Sequence, residues 1–154
     1  MNKARTLLPD ILCLSDEDMD PKNIIWDNGK PWVIDLECLD YGNPISHVLQ
    51  LALQWSGITT CDLDLDKVIS YFEGYLEAYD NGYRAYSDIF GLAYSWVGWL
   101  EYSIRRALGE CMDEAEQAIG ITEAHNTVNR IRYIYHNEKD IKAALDSRLP
   151  SRRL

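Results

Sequence analysis

Two short apolar runs, both rich in residues that favour strands, stand close together near the start of this 154-residue chain. The first is Ile24-Ile25-Trp26 and the second is Trp32-Val33-Ile34. β-Branched and aromatic residues of this kind fit a half-buried pleated strand. Between the runs lies Asp27-Asn28-Gly29-Lys30, in which Asn and Gly tolerate the positive φ of a tight turn. The pattern predicts one β-hairpin.

Beyond the hairpin, apolar residues recur with the period of a helix almost to the end of the chain. Asn43 is a favourable N-cap for the first of these helices, and Pro44 suits its first helical position. The predicted helices span residues 43–57, 65–79, 83–108, 110–119, 122–136 and 137–149. The sequence therefore predicts a mainly α fold of the α+β class, with about five or six helices packed behind one β-hairpin.

The length and the continuous pattern indicate a single domain over residues 1–154. Its expected parts are a lead-in at 1–14, a loop and hairpin region at 15–57, a helical subdomain at 58–150 and a tail at 151–154.

An acid-rich loop precedes the hairpin and supplies candidate metal ligands. Pairing of the two strands would bring Asn23, at the entry of the first strand, close to Asp35, near the end of the second. Asp18 would loop over both. Carboxylate and amide oxygens suit a hard divalent cation such as Mg²⁺, which also keeps several waters and substrate phosphates.

The run Asp18-Met19-Asp20-Pro21-Lys22-Asn23, followed by the hairpin and Ile34-Asp35, resembles the catalytic centre of protein-kinase-like phosphotransferases. It is most similar to the aminoglycoside phosphotransferase and choline kinase-like group. Gly42-Asn43-Pro44 in this chain also resembles the G-D-P turn of that group.

This resemblance implies a C-terminal kinase-like lobe that moves the γ-phosphoryl group of ATP to a hydroxyl of a small molecule, such as an aminoglycoside or choline-like acceptor. In that group the first Asp accepts the hydroxyl proton, which implies Asp18 as the catalytic residue. The Asn and the second Asp hold Mg²⁺, which implies Asn23 and Asp35 as metal ligands, with Glu37 beside them.

Three features depart from the family pattern. Asp16 stands where the family has His, and Ser46 and His47 stand in the region where the following helix has Asp. Only residues 1–14 precede the loop, and no glycine occurs before Gly29, so the nucleotide-binding N-terminal lobe is missing from the pattern. The chain is therefore expected to be inactive alone, with Mg²⁺ as its cofactor by resemblance and ATP as a cofactor if such a lobe is supplied.

A second hypothesis belongs to a different class: a non-catalytic binding module that self-associates through the surface left by the missing lobe. Such a surface would be apolar and large, which marks an interaction site. The expected partners are thus a small-molecule substrate together with a second copy of the chain or an N-terminal-lobe partner.

Composition argues against nucleic acid binding and against membrane insertion, and it indicates where in the cell the protein is expected. The net charge of -10, from 25 acidic and 15 basic side chains, repels nucleic acid backbones. No apolar run reaches the roughly 18 residues that a membrane-spanning helix needs, and the N-terminus lacks the apolar region of a signal peptide. A cytoplasmic protein is expected.

A second metal site must be weighed, because Asp62, Asp64, Asp66 and Glu73 have the spacing of an EF-hand loop. Lys67 stands where that loop needs glycine for its sharp turn. The residues fit the negatively charged start of an ordinary helix better than a calcium site.

Overall fold

The computed structural model describes residues 2–16, 18–80, 82–110 and 113–149, so the predicted tail at 151–154 lies outside it. The described residues form five α-helices: α1 (Asn2–Arg5), α2 (Pro44–Trp55), α3 (Leu65–Ala78), α4 (Trp96–Ala107) and α5 (Glu114–Arg148). They also form four strands: β1 (Cys13–Asp16), β2 (Ile24–Asp27), β3 (Lys30–Val33) and β4 (Leu39–Gly42). The mainly α fold with a small antiparallel hairpin is confirmed.

The strands make two separate antiparallel ribbons and no larger sheet. β2 pairs with β3 as the predicted hairpin, and β1 pairs with β4. The second ribbon was not predicted, because each of its strands has only four residues and their alternation of apolar and polar positions is too short to mark a strand. Leu14 and Tyr41, which lie opposite each other in it, are both exposed. It folds the lead-in back against the segment that enters α2.

The hydrophobic core lies among α2, α3, the segment before α4 and the C-terminal half of α5. Apolar side chains that are almost completely buried meet there: Ile45, Leu49 and Leu53 from α2, Ile69 and Phe72 from α3, Tyr86, Ile89 and Phe90, and Ile134, Ile141 and Leu145 from α5. The rings of Phe72 and Tyr86 lie 4.5 Å apart between centroids.

Local capping signals set the starts of α2 and α3 as predicted. The Asn43 side chain accepts hydrogen bonds from the backbone of Ile45 (3.0 Å) and Ser46 (3.4 Å). Asp64 caps α3 by accepting from Asp66 (3.0 Å) and Lys67 (3.2 Å). The backbone hydrogen bond from Lys67 is the largest of the causes that lower the pKa of Asp64. Asp64 therefore caps α3. This agrees with the interpretation of these acidic residues as the start of an ordinary helix, which the sequence favours over an EF-hand calcium site.

The prediction of three short helices after residue 110 is wrong, because α5 runs without a break over 114–148. The polar residues read as helix boundaries bond back to carbonyls one turn earlier within the helix. Thr122 donates to the Ala118 oxygen (3.1 Å) and Asn137 to the Tyr133 oxygen (2.8 Å). Because these side chains bond within the helix, the helix continues through Thr122 and Asn137.

The helix predicted over 83–108 begins later than expected. Residues 83–85 are irregular, residues 86–89 form a turn, Phe90–Ser95 is a 3₁₀ segment, and of the predicted span only α4 is α-helical. Tyr86, Ile89 and Phe90 are all buried in the core. Their spacing of i, i+3 and i+4 is that of one helix face, which explains why the sequence predicts a helix over residues that the structure shows in a turn. No helix in the described ranges is long and apolar enough to cross a membrane.

Candidate active site

The hairpin forms as the sequence predicts, around a two-residue turn in which Asn28 (φ 49°) and Gly29 (φ 77°) both have positive φ. Strand pairing continues one step past the strands, since the Ile34 N–H donates to the Asn23 oxygen at 2.9 Å. This register places Asp35 directly after the residue that faces Asn23. The two proposed metal ligands thus lie at the same end of one hairpin.

Asn23 is buried (4% exposed) and fixes the loop through its side-chain nitrogen. Nδ2 donates to the Asp18 backbone oxygen at 2.8 Å and to Asp18 Oδ2 at 3.0 Å. A buried amide held by two such bonds has little freedom to turn. Because the nitrogen is committed to Asp18, Oδ1 is the amide atom that remains suitable for a cation.

Asp35 is exposed and adopts a left-handed backbone conformation (φ 60°, ψ 61°), which is uncommon for a residue other than glycine. It stands at the start of the 3₁₀ turn Leu36–Cys38. A strained conformation of this kind is kept only where the surrounding chain enforces it. Here it turns the chain sharply at the end of the hairpin.

Lys22 reports how strongly acidic this end of the hairpin is. Its Nζ lies 3.2 Å from Asp18 Oδ2 and 3.9 Å from an Asp20 oxygen. Desolvation lowers the pKa of Lys22, but the hydrogen bond to Asp18 and the charges of Asp18, Asp20 and Asp35 outweigh it and raise that pKa overall. Three carboxylates therefore act on one ammonium group, at the place where a cation is expected.

The exposed thiol of Cys38 lies close enough to the same carboxylates to be affected by their negative charge. The pKa of that thiol is raised by desolvation, which is the largest cause, and then by the negative charges of four carboxylates: Asp18, Glu37, Asp16 and Asp35. The raised pKa keeps Cys38 in its neutral form, which argues against a nucleophilic role.

Asp18 also lines a cleft with a volume of about 640 Å³. One wall is formed by the loop, through Asp18, Asp20 and Lys22, and the opposite wall by α4 and α5. The loop is tied to α2 because Trp55 Nε1 donates to the Met19 oxygen at 2.8 Å. A small molecule in this cleft would touch the Asp18 side of the site.

The far wall was not predicted from the sequence. Arg130 of α5 donates to the Thr59 oxygen at 3.1 Å, lies 4.0 Å from Glu123 and stacks 5.1 Å from the centre of the Trp96 ring. Trp99 Nε1 lies 3.4 Å from a Glu123 oxygen. These residues follow the loop by more than 70 positions in the chain, and no local pattern marks them.

The residues that depart from the family pattern meet behind the loop. Asp16 is 5% exposed and its Oδ1 accepts from the Asp18 N–H at 3.1 Å, while its Oδ2 is buried and has no hydrogen-bond partner among the residues that the structure describes. His47 Nδ1 and Ser15 Oγ are hydrogen-bonded. Asp16, Ser15 and His47 line one cavity of about 260 Å³. Asp16 and His47, two positions at which the sequence differs from the phosphotransferase pattern, therefore both help to fix the conformation of the loop.

The oxygen atoms of Asn23 and Asp35 are of the type that a hard divalent cation prefers. Within the described residues, no three His, Cys, Asp or Glu side chains converge as a metal-binding group. Asp35 offers a carboxylate and Asn23 an amide oxygen at the same end of the hairpin, and both are donors of the kind that Mg²⁺ accepts together with waters and phosphate oxygens.

Compared with protein-family models, with curated proteins and with solved structures, the chain gives no match.

Proposed function

We propose that this chain carries the catalytic half of a phosphotransferase, which moves the γ-phosphoryl group of ATP to a hydroxyl group of a small molecule. The observation that carries the proposal is the pair of hydrogen bonds from Asn23 to Asp18, at the end of the hairpin that also presents Asp35. A candidate base and two candidate metal ligands are thus set by one short segment of chain.

Asp18 is the proposed base. Its Oδ2 is engaged by Asn23 and Lys22, and within the described residues no bond ends on Oδ1, which is left to accept a proton. In the reaction, the proton of the acceptor hydroxyl passes to Asp18 as the hydroxyl oxygen bonds to the γ-phosphorus and the bond to ADP breaks. The position of Asp18 on the cleft wall supports this role.

Asn23 Oδ1 and the Asp35 carboxylate are the proposed Mg²⁺ ligands. When bound, Mg²⁺ supplies charge neutralisation for the phosphate oxygens. The described residues include no glycine-rich loop that could cover the phosphates, so the remaining contacts to ATP are assigned to a nucleotide-binding lobe. On this proposal the chain is inactive without that lobe.

The cleft favours an acceptor that combines hydroxyl groups with positive charge, as aminoglycosides and choline do. Asp20 and Glu123 supply carboxylates, and Trp96 and Trp99 supply ring faces that attract cations. Arg130 already occupies the face of Trp96, so Trp99 offers the ring that is left for a ligand.

The proposal is tested by thermal unfolding with Mg²⁺ and ATP together. The contacts that this chain itself offers, through Mg²⁺ to the phosphates, should bind ATP weakly. At millimolar nucleotide we therefore expect the melting temperature to rise by about 3 °C, because ligand bound only to the folded state stabilises it. Asp35→Ala should remove the rise, while Asp40→Ala, which deletes an exposed carboxylate of β4, should keep it. An unchanged melting temperature for the natural chain, or an equal rise in both variants, would contradict the proposal.

A further inference from the structure

The cavity of about 260 Å³ behind the loop is separate from the cleft in front of it. β1 and the loop line one side of this cavity, through Asp16 and Met19, and α2 and α3 line the other, through Leu51 and Tyr71. None of the described residues that line the cavity also lines the cleft of about 640 Å³. The chain therefore has a second space that the proposed acceptor does not use.

Asp16 brings a buried carboxyl group to this cavity. The residue is 5% exposed, and its Oδ2 has no hydrogen-bond partner among the described residues. The described residues that line the cavity include no lysine or arginine. Because a buried carboxylate without partners is costly, a hydrogen-bond donor that carries positive charge would stabilise it most.

The other walls of the cavity indicate what kind of cation fits. Tyr71 and Tyr75 supply aromatic rings, and Val48, Leu51 and Met19 supply apolar surface. Ring faces attract an ammonium group, and apolar walls suit a hydrocarbon body. Such walls offer few ligands to a metal ion, and within the described residues no three His, Cys, Asp or Glu side chains converge to bind one. The walls therefore favour an organic cation.

Two further properties narrow the class of ligand. Oδ2 of Asp16 lacks a donor, so the cation must bring an N–H, which a primary or secondary ammonium group has and a quaternary one does not. The volume of about 260 Å³ corresponds to about nine water molecules at roughly 30 Å³ each. A molecule such as phenethylamine, with one aromatic ring and one amino group, is of this size.

We propose that this cavity binds a small organic amine, with its ammonium group on Asp16 and its apolar body against the tyrosine rings of α3 and the side chains of α2. The site does not depend on phosphoryl transfer, because it uses neither the proposed base nor the proposed Mg²⁺ ligands. Its failure would leave the proposed function standing, and the reverse is also true.

Binding at Asp16 should reach the loop through the same carboxylate. Oδ2 has almost no accessible surface, so a small turn about the Cβ–Cγ bond of Asp16, which is a soft torsion, presents it to the ligand. Oδ1 accepts from the Asp18 N–H at 3.1 Å, and the turn changes that bond. The amide signal of Asp18 is therefore a reporter of the occupied cavity.

Titration of the ¹⁵N-labelled full chain with phenethylamine, in the absence of nucleotide, tests the site. The amide signals of Ser15, Asp18 and Val48 should shift and saturate with a Kd on the order of 1 mM, the affinity expected of so small a ligand. Those of Trp99 and Glu123, which line the cleft, should not move. Phenethyl alcohol, which has the same body without the charge, should bind about tenfold more weakly.

Three variants, each checked for folding by circular dichroism, locate the binding. Asp16→Asn keeps an oxygen for the Asp18 N–H but removes the charge, so it should weaken phenethylamine binding by about 10- to 100-fold and leave binding of the alcohol unchanged. Leu51→Trp fills the cavity and should abolish binding of both compounds, whereas Trp99→Ala, in the cleft, should keep both.

Three results would overturn the proposal. The first is a titration with millimolar phenethylamine that gives no saturable shift, as expected of a cavity that holds only water. The second is a set of shifts centred on Trp99 and Glu123, which would place the amine in the cleft. The third is equal binding of phenethylamine to the natural chain and to Asp16→Asn, since the carboxylate would then not recognise the ammonium group.

Discussion

Asn23→Asp should destabilise the fold by about 2–4 kcal/mol at neutral pH, the range for an uncompensated charge in a buried site. The substitution keeps the size of the side chain but replaces the Nδ2 donor with a carboxylate oxygen. That oxygen would face the Asp18 backbone oxygen and Oδ2, which the amide now reaches at 2.8 and 3.0 Å. Urea unfolding measures the loss.

The loss should depend on pH in a defined direction. Burial and the Asp18 charge raise the pKa of the introduced carboxyl group in the folded state above its unfolded value. Below about pH 4 both states bind the proton and the penalty disappears, and it grows as the pH rises through neutrality.

Asn28→Asp is the matched control for this substitution. Asn28 lies in the exposed hairpin turn, and Asp tolerates positive φ almost as well as Asn. The substitution removes the bond from Asn28 Nδ2 to Asp27 Oδ1 (3.0 Å), but both groups are exposed and water replaces that bond at little cost. It should change the free energy of unfolding by less than about 0.5 kcal/mol at any pH. If Asn23→Asp is as mild as Asn28→Asp, Asn23 does not hold the loop as described.

Gly120→Ala should destabilise the fold by about 2–3 kcal/mol, even though Ala is the better helix former. Gly120 is buried where α5 crosses α4, and a Cβ there would lie 2.6 Å from the Ala107 nitrogen and 2.9 Å from the Arg106 carbonyl carbon. Backbone atoms cannot step aside, so the two helices must separate. Because these helices form the far wall of the cleft, ligand binding should weaken as well.

The control is Gly98→Ala, in an exposed position of α4 where a Cβ meets nothing within 4 Å. It should raise the free energy of unfolding by about 0.5–1 kcal/mol, through helix propensity alone. Thermal or urea unfolding of both variants gives the comparison. Equal effects at the two positions would mean that α4 and α5 do not approach closely at Gly120.

The predictions that succeeded rest on signals confined to a few neighbouring residues. The Asn28-Gly29 turn fixes the hairpin register, and Asn43 and Asp64 each cap the helix that follows. Because a turn or a cap acts within about four residues, one sequence is enough to recognise it. The hairpin in turn sets where Asn23 and Asp35 lie along the chain.

What could not be predicted depends on long-range packing. Glu123 and Arg130 reach the cleft only because α5 is continuous and lies along α4, and no local pattern states which face of so long a helix will be covered. The weak alternation of β1 and β4 gave no strand signal, although their pairing anchors the loop that carries Asp18. These features follow from the whole fold and not from neighbouring residues.

The proposal that Asn23 and Asp35 hold one cation beside Asp18 is tested most directly by paramagnetic broadening in the ¹⁵N-labelled chain. Mn²⁺ added with ATP takes the place of Mg²⁺ at oxygen sites and broadens the amide signals nearest to it. The account predicts that the signals of Asp18, Asn23 and Asp35 fade first, while those of Asp64 and Asp66 at the start of α3 persist. First fading at α3, or even fading along the whole chain, would contradict it.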